Sequence, residues 1–410
     1  MPGKEEGKGM VNSMERAETY CSLAKKAQER KRVCIVHTRQ RNFIIVSMTI
    51  VLLNIVSWQS ETFSDWYITY IFPIWGAILG RLTSLCFFSV GEVLIWVAVL
   101  LLVGGCGLLL TLLFFHKESM VRGWTKRWWS TIAWTINIVL LVQTLNCFIL
   151  YHGTTLLNHT TAQPAQYQEN LIPLFNQIAK RANALCGTFP RDAHGFLTVD
   201  ESGFAEETKQ SLGRLQEQYP NLTGYYPDPK PVYASGVMSQ ENLMGIYFPY
   251  SMEATYNEKM YVVNKPYVMC HELSHLKGYI REDEANYLAY RACMASDNLF
   301  FQYSGCLGVL NYIANAINQN VGSLEEDAIK TQMVSLDACV QTDNIFLTQQ
   351  SRDAIPLIRT NRTGHSDLST RFLDASLRLN GISQGSDSYQ DVVKLMLQDF
   401  GKGQSEKNTE

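Results

Sequence analysis

Cys270-His271-Glu272-Leu273-Ser274-His275-Leu276-Lys277-Gly278 is the stretch on which the reading of this chain turns. On an α-helix, residues four apart lie one turn above each other on one face, so His271 and His275 can offer two imidazole nitrogens to a single ion such as Zn2+. Glu272 then stands beside the metal. Its carboxylate is placed to take a proton from a water on that ion, and the water to attack a carbonyl carbon that the ion polarises, which is metal-assisted amide hydrolysis. Pro266 lies where its fixed φ can start the helix, and Gly278, just past His275, suits the left-handed turn that ends it. Cys270 abuts His271, but adjacent helical residues point about 100° apart, so it is expected to pack inward as a free thiol rather than to ligate.

Beyond Gly278, Arg281-Glu282-Asp283-Glu284-Ala285-Asn286-Tyr287-Leu288-Ala289 reads as a second helix carrying the missing third ligand. Glu282 is the first choice, because Asn286 shares its face and can support a liganding histidine by a hydrogen bond. Glu284 is the alternative and Asp283 comes last. An acidic first helical turn without any metal also accounts for some of these three acids.

These residues carry a resemblance. The Glu-x-x-Ala-Asn run is similar to the third-ligand helix of the glutamate-ligand branch of the zincin superfamily of metallopeptidases. The longer stretch from His271 to Asn286, with Gly245 to Tyr250 and Glu253-Ala254 ahead of it, resembles a bacterial family of multi-pass membrane proteins known only as a domain of unknown function (number 3810). The likeness runs from the first apolar segment to about Phe400; its motifs are specific around Gly245 to Ala289 and diffuse elsewhere, notably from Ser323 to Asp367. It implies a zinc-peptidase site, with His271, His275 and Glu282 as ligands and Glu272 as base, and a membrane location. It implies no particular substrate.

Gly245-Ile246-Tyr247-Phe248-Pro249-Tyr250 has the β-branched and aromatic character of a short strand. In zincin folds a strand upstream of the metal helix borders the cleft and pairs with the substrate, and Gly245, Ile246, Tyr247, Phe248 and Pro249 resemble that edge in placement. Pro249 suits an edge, where no ladder N–H is needed, or equally a strand terminator. Glu253 and Asn257 read as surface polars. An oxyanion donor is required, and Tyr247, Tyr250, His194, Tyr279, Arg281 and His365 are chemically eligible without spacing to single one out. Leu171, Leu174, Phe175 and Ile178 recur at helical spacing and mark a core-facing helix.

The first third of the chain is apolar in blocks, and a formal charge of −3 gives no support for nucleic-acid binding. Segments 43–58, 93–115 and 131–151 read as transmembrane helices, with Asn137, Gln143 and Asn146 facing other helices inside the bilayer. Segment 66–80, short, aromatic and interrupted by Pro73, reads as interfacial or re-entrant. Ten Lys/Arg precede Phe43, and Lys117, Arg122, Lys126 and Arg127 fall between the second and third spans. Both regions are expected to be cytoplasmic. The basic tail 1–42 is thus inside, 43–156 forms the membrane region, 157–401 is an extracytoplasmic zincin-like domain, and 402–410 is a disordered tail. That domain holds five cysteines, an odd number, so at least one is free or intermolecular.

The expected architecture is mainly α, with three transmembrane helices followed by an α+β zincin-like metallopeptidase domain that has a small sheet. The expected function is zinc-dependent hydrolysis of a protein or peptide substrate at the outer face of the cytoplasmic membrane, with the lipid bilayer as the other partner. The competing readings are a receptor or assembly factor retaining a structural zinc, and an intramembrane protease, which Lys265 and Lys277 beside the motif disfavour.

Overall fold

A computed structural model describes residues 37–115, 118–159, 164–320, 331–355 and 391–407. Most of the basic tail, and the candidate His365, lie outside the described residues.

Among the described residues, three helices are long and apolar enough to cross a membrane: α1 (His37–Gln59), α4 (Val90–Phe115) and a third running Ser119–His152. The third comprises α5 (Ser119–Gln143), a wider π turn at Thr144–Phe148 and a final 3-10 turn at Leu150–His152. Each starts before the segment read from hydropathy, because helical hydrogen bonding continues through polar flanks that an apolar window discards. Asn137 Nδ2 donates to the Phe43 carbonyl (3.2 Å) and to Ser47 Oγ (3.1 Å) on α1, and Asn54 Nδ2 donates to Thr144 Oγ1 (2.9 Å). Trp128 Nε1 bonds the Leu101 carbonyl on α4 (2.9 Å). Polar groups thus join these helices, as expected where the surroundings are apolar.

Between α1 and α4 the chain is helical through α2 (Glu61–Trp66), a π turn (Tyr67–Ile71) and α3 (Phe72–Thr83). Pro73 has no N–H to donate back to residue 69, and the turn before it widens. One face of this stretch joins the main core through Tyr67, Ile68 and the fully buried Phe72. The other leaves Trp66, Tyr70, Ile74, Ile78 and Leu82 exposed at four-residue spacing. Hydropathy registers both faces alike, which is why 66–80 reads from sequence as interfacial or re-entrant. Cys147, Ile149 and Leu150 belong to the same core, so packing continues across the boundary expected at 156/157.

The rest is helical around one small sheet. α6 (Pro164–Cys186) packs on α11 (Leu299–Asn320) and buries Leu171, Leu174, Phe175 and Ile178, the stripe read from periodicity. α7 (Phe204–Gly213) precedes β1 (Lys230–Val232), and α8 (Ser235–Gln240) leads to β2 (Gly245–Phe248) and β3 (Glu253–Asn257). The strand order is β1-β3-β2, with β1 parallel and β2 antiparallel to β3. α9 (Lys265–Leu276) lies under the sheet, with α10 (Glu282–Ala295) beside it. A disulfide joins Cys186 at the end of α6 to Cys339 in α12 (Ala338–Asp343), and Cys270 is a buried free thiol. Asp343, also on α12, is buried and accepts hydrogen bonds from Arg191, Tyr261 and Tyr303.

Two expectations are corrected. Glu253 and Asn257 are buried rather than on the surface. Glu253 pairs with Lys230 (2.7 Å) and accepts from the Val90 and Gly91 N–H groups (3.2 and 2.8 Å), so a carboxylate caps the positive end of α4. Asn257 Nδ2 donates to Ser239 Oγ and the Leu243 carbonyl. The second concerns the tail. α13 (Gln349–Asp353) is followed, after an undescribed segment, by α14 (Asp391–Lys407). The tail expected to be disordered from 402 is therefore helical to Lys407, because Val392, Val393, Leu395 and Met396 anchor the helix in the core and its polar end continues the turn pattern.

Candidate metal centre

α9 is buried at every residue, its polar ones included. Pro266 occupies its first turn, and Gly278 ends it with φ +97°, a conformation that glycine adopts without strain. The Gly278 N–H bonds the His275 carbonyl and the Tyr279 N–H bonds that of Ser274, which reverses the chain and brings the start of α10 back over α9.

That reversal sets Glu282 against the two histidines. Nε2 of His271 is 3.0 Å from Nε2 of His275, Glu282 Oε2 is 3.2 Å from the former, and Glu282 Oε1 is 3.7 Å from the latter. Ligands at about 2.0–2.1 Å from a tetrahedral zinc lie about 3.3–3.4 Å apart, so these separations fit that ion. His275 Nδ1 is 2.8 Å from the Tyr279 carbonyl, which can only accept. Nδ1 therefore carries the proton, and Nε2 presents a lone pair to the centre. Burial, with His271 next to it, lowers the His275 pKa to about 4 and keeps it neutral. Burial also opposes charge on His271, but the Glu282 and Glu272 carboxylates outweigh it and raise its pKa. Burial would raise Glu282, yet the hydrogen bond from His271 and the nearby imidazoles bring it down to about 2. The three groups are thus poised as two nitrogen donors and an anionic oxygen donor, the set that suits Zn2+.

Glu272 does not join this triangle. It lies under β2, where the Tyr247 N–H donates to its carboxylate, and a Cβ placed on Gly245 would come within 2.4 Å of Glu272 Oε1. Burial and the neighbouring Glu282 raise its pKa to about 8.

The alternative ligand Glu284 is turned away. It accepts the Leu156 N–H (2.7 Å), and burial raises its pKa to about 8. Asp283 is buried, with Arg281 Nε 3.5 Å from its Oδ1. Asn286 is buried one turn beyond Glu282 and adjoins His271, but its Oδ1 accepts from the Tyr267 hydroxyl (3.0 Å). His271 Nδ1 and Asn286 Nδ2 are both left without a partner. A half-turn of the amide exchanges its oxygen and nitrogen and gives His271 Nδ1–H an acceptor.

β2 is an edge strand whose backbone at Gly245 and Tyr247 overlies Glu272, and Ile246 pairs with Thr255 of β3. Phe248 ends the strand against Gly91 of α4, and Pro249 lies beyond it as a terminator, its carbonyl accepting from Asn146 Nδ2 (2.6 Å). Of the eligible oxyanion donors, Tyr247 has its ring 6.2 Å from that of His275, but its hydroxyl points to Met252 Sδ and the Asn146 carbonyl. Tyr250 bonds Gln143, and His194 sits in a loop with its N–H on Asp192. Tyr151 and Tyr312, not singled out from sequence, both lie within electrostatic reach of Glu282. They come from segments far apart in the chain, and no local pattern could have found them.

The chain belongs to the family described as Protein of unknown function (DUF3810), which matches residues 67–397. The family resemblance is borne out over that range, which opens in the π turn before α3 rather than at the first apolar helix. Comparison with curated proteins gave no match, and comparison with solved structures gave none.

Proposed function

We propose that this protein is a membrane-anchored, zinc-dependent metallopeptidase with its site outside the cytoplasm. The observation that carries the reading is the convergence of His271, His275 and Glu282 beside a separate carboxylate, Glu272, under the backbone of an edge strand. His271, His275 and Glu282 would hold the ion. Zinc there would supply a Lewis acid for the scissile carbonyl and the attacking water. Glu272 accepts the proton of that water and returns it to the leaving amine, a task for which a pKa near neutrality is suited. The edge of β2 takes the substrate as an added strand above Glu272, for whose carboxylate Gly245 leaves room.

The three long apolar helices support anchoring in the membrane. Their basic flanks support a cytoplasmic N-terminus and a cytoplasmic α4–α5 connection, which leaves the site on the outer side. The Cys186–Cys339 disulfide agrees with an oxidising compartment. Envelope or other extracytoplasmic proteins are then the substrate class. The second reading, a receptor or assembly factor that keeps zinc structurally, is disfavoured by Glu272, since structural sites close with four protein ligands and need no adjacent base.

Elemental analysis of detergent-solubilised protein tests this, with about one zinc per chain expected and none in His271→Ala or His275→Ala. Glu272→Gln should keep zinc and thermal stability while hydrolysis of a mixed peptide pool falls on the order of 10²-fold or more. Well-folded wild-type protein that takes up no zinc removes the reading, and full cellular function in Glu272→Gln puts the receptor first. Reporter fusions after Leu156 should be extracytoplasmic and those within Glu118 to Trp129 cytoplasmic.

A further inference from the structure

The metal site is not held clear of the long apolar helices. The β2–β3 turn rests on the third of them: Asn146 Nδ2 donates to the Pro249 carbonyl (2.6 Å), and the Tyr250 hydroxyl bonds Gln143 Oε1 (2.8 Å). That helix ends at His152, whose ring packs on Trp58 at the end of α1 with centroids 4.9 Å apart. Gln143 lies nine residues before His152, about 13 Å along the helix at ~1.5 Å per residue. The turn therefore reaches below the level at which α1 and the third helix finish. On its other flank the N-terminus of α4 is held by Glu253 of β3, and Phe248 covers Gly91.

An apolar apron continues around this level. Trp66, Tyr70, Ile74, Ile78 and Leu82 form the outward stripe of α2–α3, and Phe87, in the loop before α4, is 93% exposed. Tyr233, 97% exposed, is tied by its N–H to Glu92 in the first turn of α4. Exposed aromatic and apolar side chains of this kind, on segments that join long apolar helices, mark a lipid contact at the headgroup boundary.

From Gly245, above Glu272, to Pro249, on the third helix, is four residues, about 14 Å of extended chain at ~3.4 Å each. A peptide paired with the edge of β2, its scissile carbonyl at the centre, thus comes within about four or five residues of the third long apolar helix. We propose that the substrate is a membrane-tethered protein, cut in the extracytoplasmic segment within a few residues of its transmembrane anchor. The reading rests on the peptidase assignment. The bilayer positions the substrate segment at the height of the cleft, which converts part of a three-dimensional search into a local one.

The test uses the full chain, zinc-loaded, in phospholipid vesicles. The probes are three forms of one randomised ten-residue peptide pool: joined directly to a model transmembrane helix of about 20 apolar residues, joined through about 20 Gly/Ser residues, and free. The direct fusion should be cut at least about tenfold faster than either other form. Equal cutting of all three, or preference for the free pool, overturns the inference and leaves the peptidase reading standing; cutting of none overturns both. A second measurement needs no catalysis. A photoreactive benzoylphenylalanine in place of Tyr233 should form phospholipid adducts in the vesicles, and adducts no more frequent than at the same substitution of His194, in the exposed loop between α6 and α7, overturn the inference alone.

Discussion

Gly245→Ala tests the site through a single methyl group. Gly245 does not occupy the left-handed region, so alanine brings no backbone strain of its own. Its Cβ would stand 2.4 Å from Glu272 Oε1, 2.7 Å from Cγ and 2.8 Å from Cδ. Comfortable contact between such atoms is about 3.5 Å, so the carboxylate must retreat by about 1 Å. Glu272 is buried, and any such movement breaks its hydrogen bond from Tyr247. A displacement of ~1 Å in a positioned catalytic group costs on the order of 10²-fold in rate, while crowding of the core costs about 1–3 kcal/mol in stability. The three atoms nearest the new methyl all belong to Glu272, none to His271, His275 or Glu282. Zinc content by elemental analysis should therefore stay at about one per chain, and hydrolysis of the mixed peptide pool should fall nearly as far as in Glu272→Gln. Gly187→Ala, in the exposed turn after α6 where nothing lies within 4 Å, is the control for a glycine-to-alanine change and should change neither quantity. Wild-type hydrolysis by Gly245→Ala would mean that Glu272 is not the base or does not act from beneath β2, and loss of zinc would mean that the strand, not the helix pair, builds the centre.

Glu282→Gln should lose zinc whereas Glu284→Gln should keep it, and the reverse outcome in elemental analysis would exchange the two roles. Glu284 also sets a pH dependence: its pKa rises from 4.5 to about 8 on folding, so the native state holds a proton that the unfolded chain releases above about 4.5. That contribution is complete at low pH and is lost as pH rises through about 8, so Glu284→Gln, which keeps an acceptor for Leu156, should flatten the decline of melting temperature between pH 5 and 8.5. Lys230→Met should destabilise the fold by about 3–5 kcal/mol in denaturant titration, because Glu253 would remain buried with only the N–H groups of α4 to compensate it, and a loss below about 1 kcal/mol would show that the Lys230–Glu253 pair is dispensable.

Much of the centre is legible in sequence because it is local. His271 and His275 are related by one helical turn, and a short reversal at Gly278 returns Glu282 to them within seven residues of His275, so spacing alone narrows the third ligand. Legibility fails where a residue has two kinds of neighbour. Hydropathy treats Phe72 and Ile74 alike, although one is fully buried in the core and the other exposed. Gln143 and Asn146 were assigned to helix–helix contacts by the rule for polar groups in apolar surroundings. That rule correctly requires partners for them, but it cannot say that Tyr250 and Pro249 of a distant hairpin are those partners. Glu253 was lost to the general expectation that carboxylates are exposed, since its partners Lys230, Val90 and Gly91 come from two separate regions of the chain.

The choice between catalyst and scaffold comes down to what a fold would otherwise do with Glu272. A carboxyl buried to 5% exposure, raised to about 8 and given one backbone N–H, makes folding less favourable at neutral pH than a neutral side chain of similar size would. If zinc served structure alone, His271, His275 and Glu282 would need only a fourth ligand, and Glu272 sits apart from their triangle instead of supplying it. Gly245 adds a second concession, since an alanine would pack against the helix but for the carboxylate below it. Two positions that each sacrifice packing to keep one acid unliganded and close to an edge strand are difficult to reconcile with a passive metal staple. Local conflicts of this kind concentrate where chemistry is performed. The Glu272→Gln variant makes the distinction measurable: if the acid is there for catalysis, its removal should leave the fold as stable or more stable above neutral pH, while the activity goes.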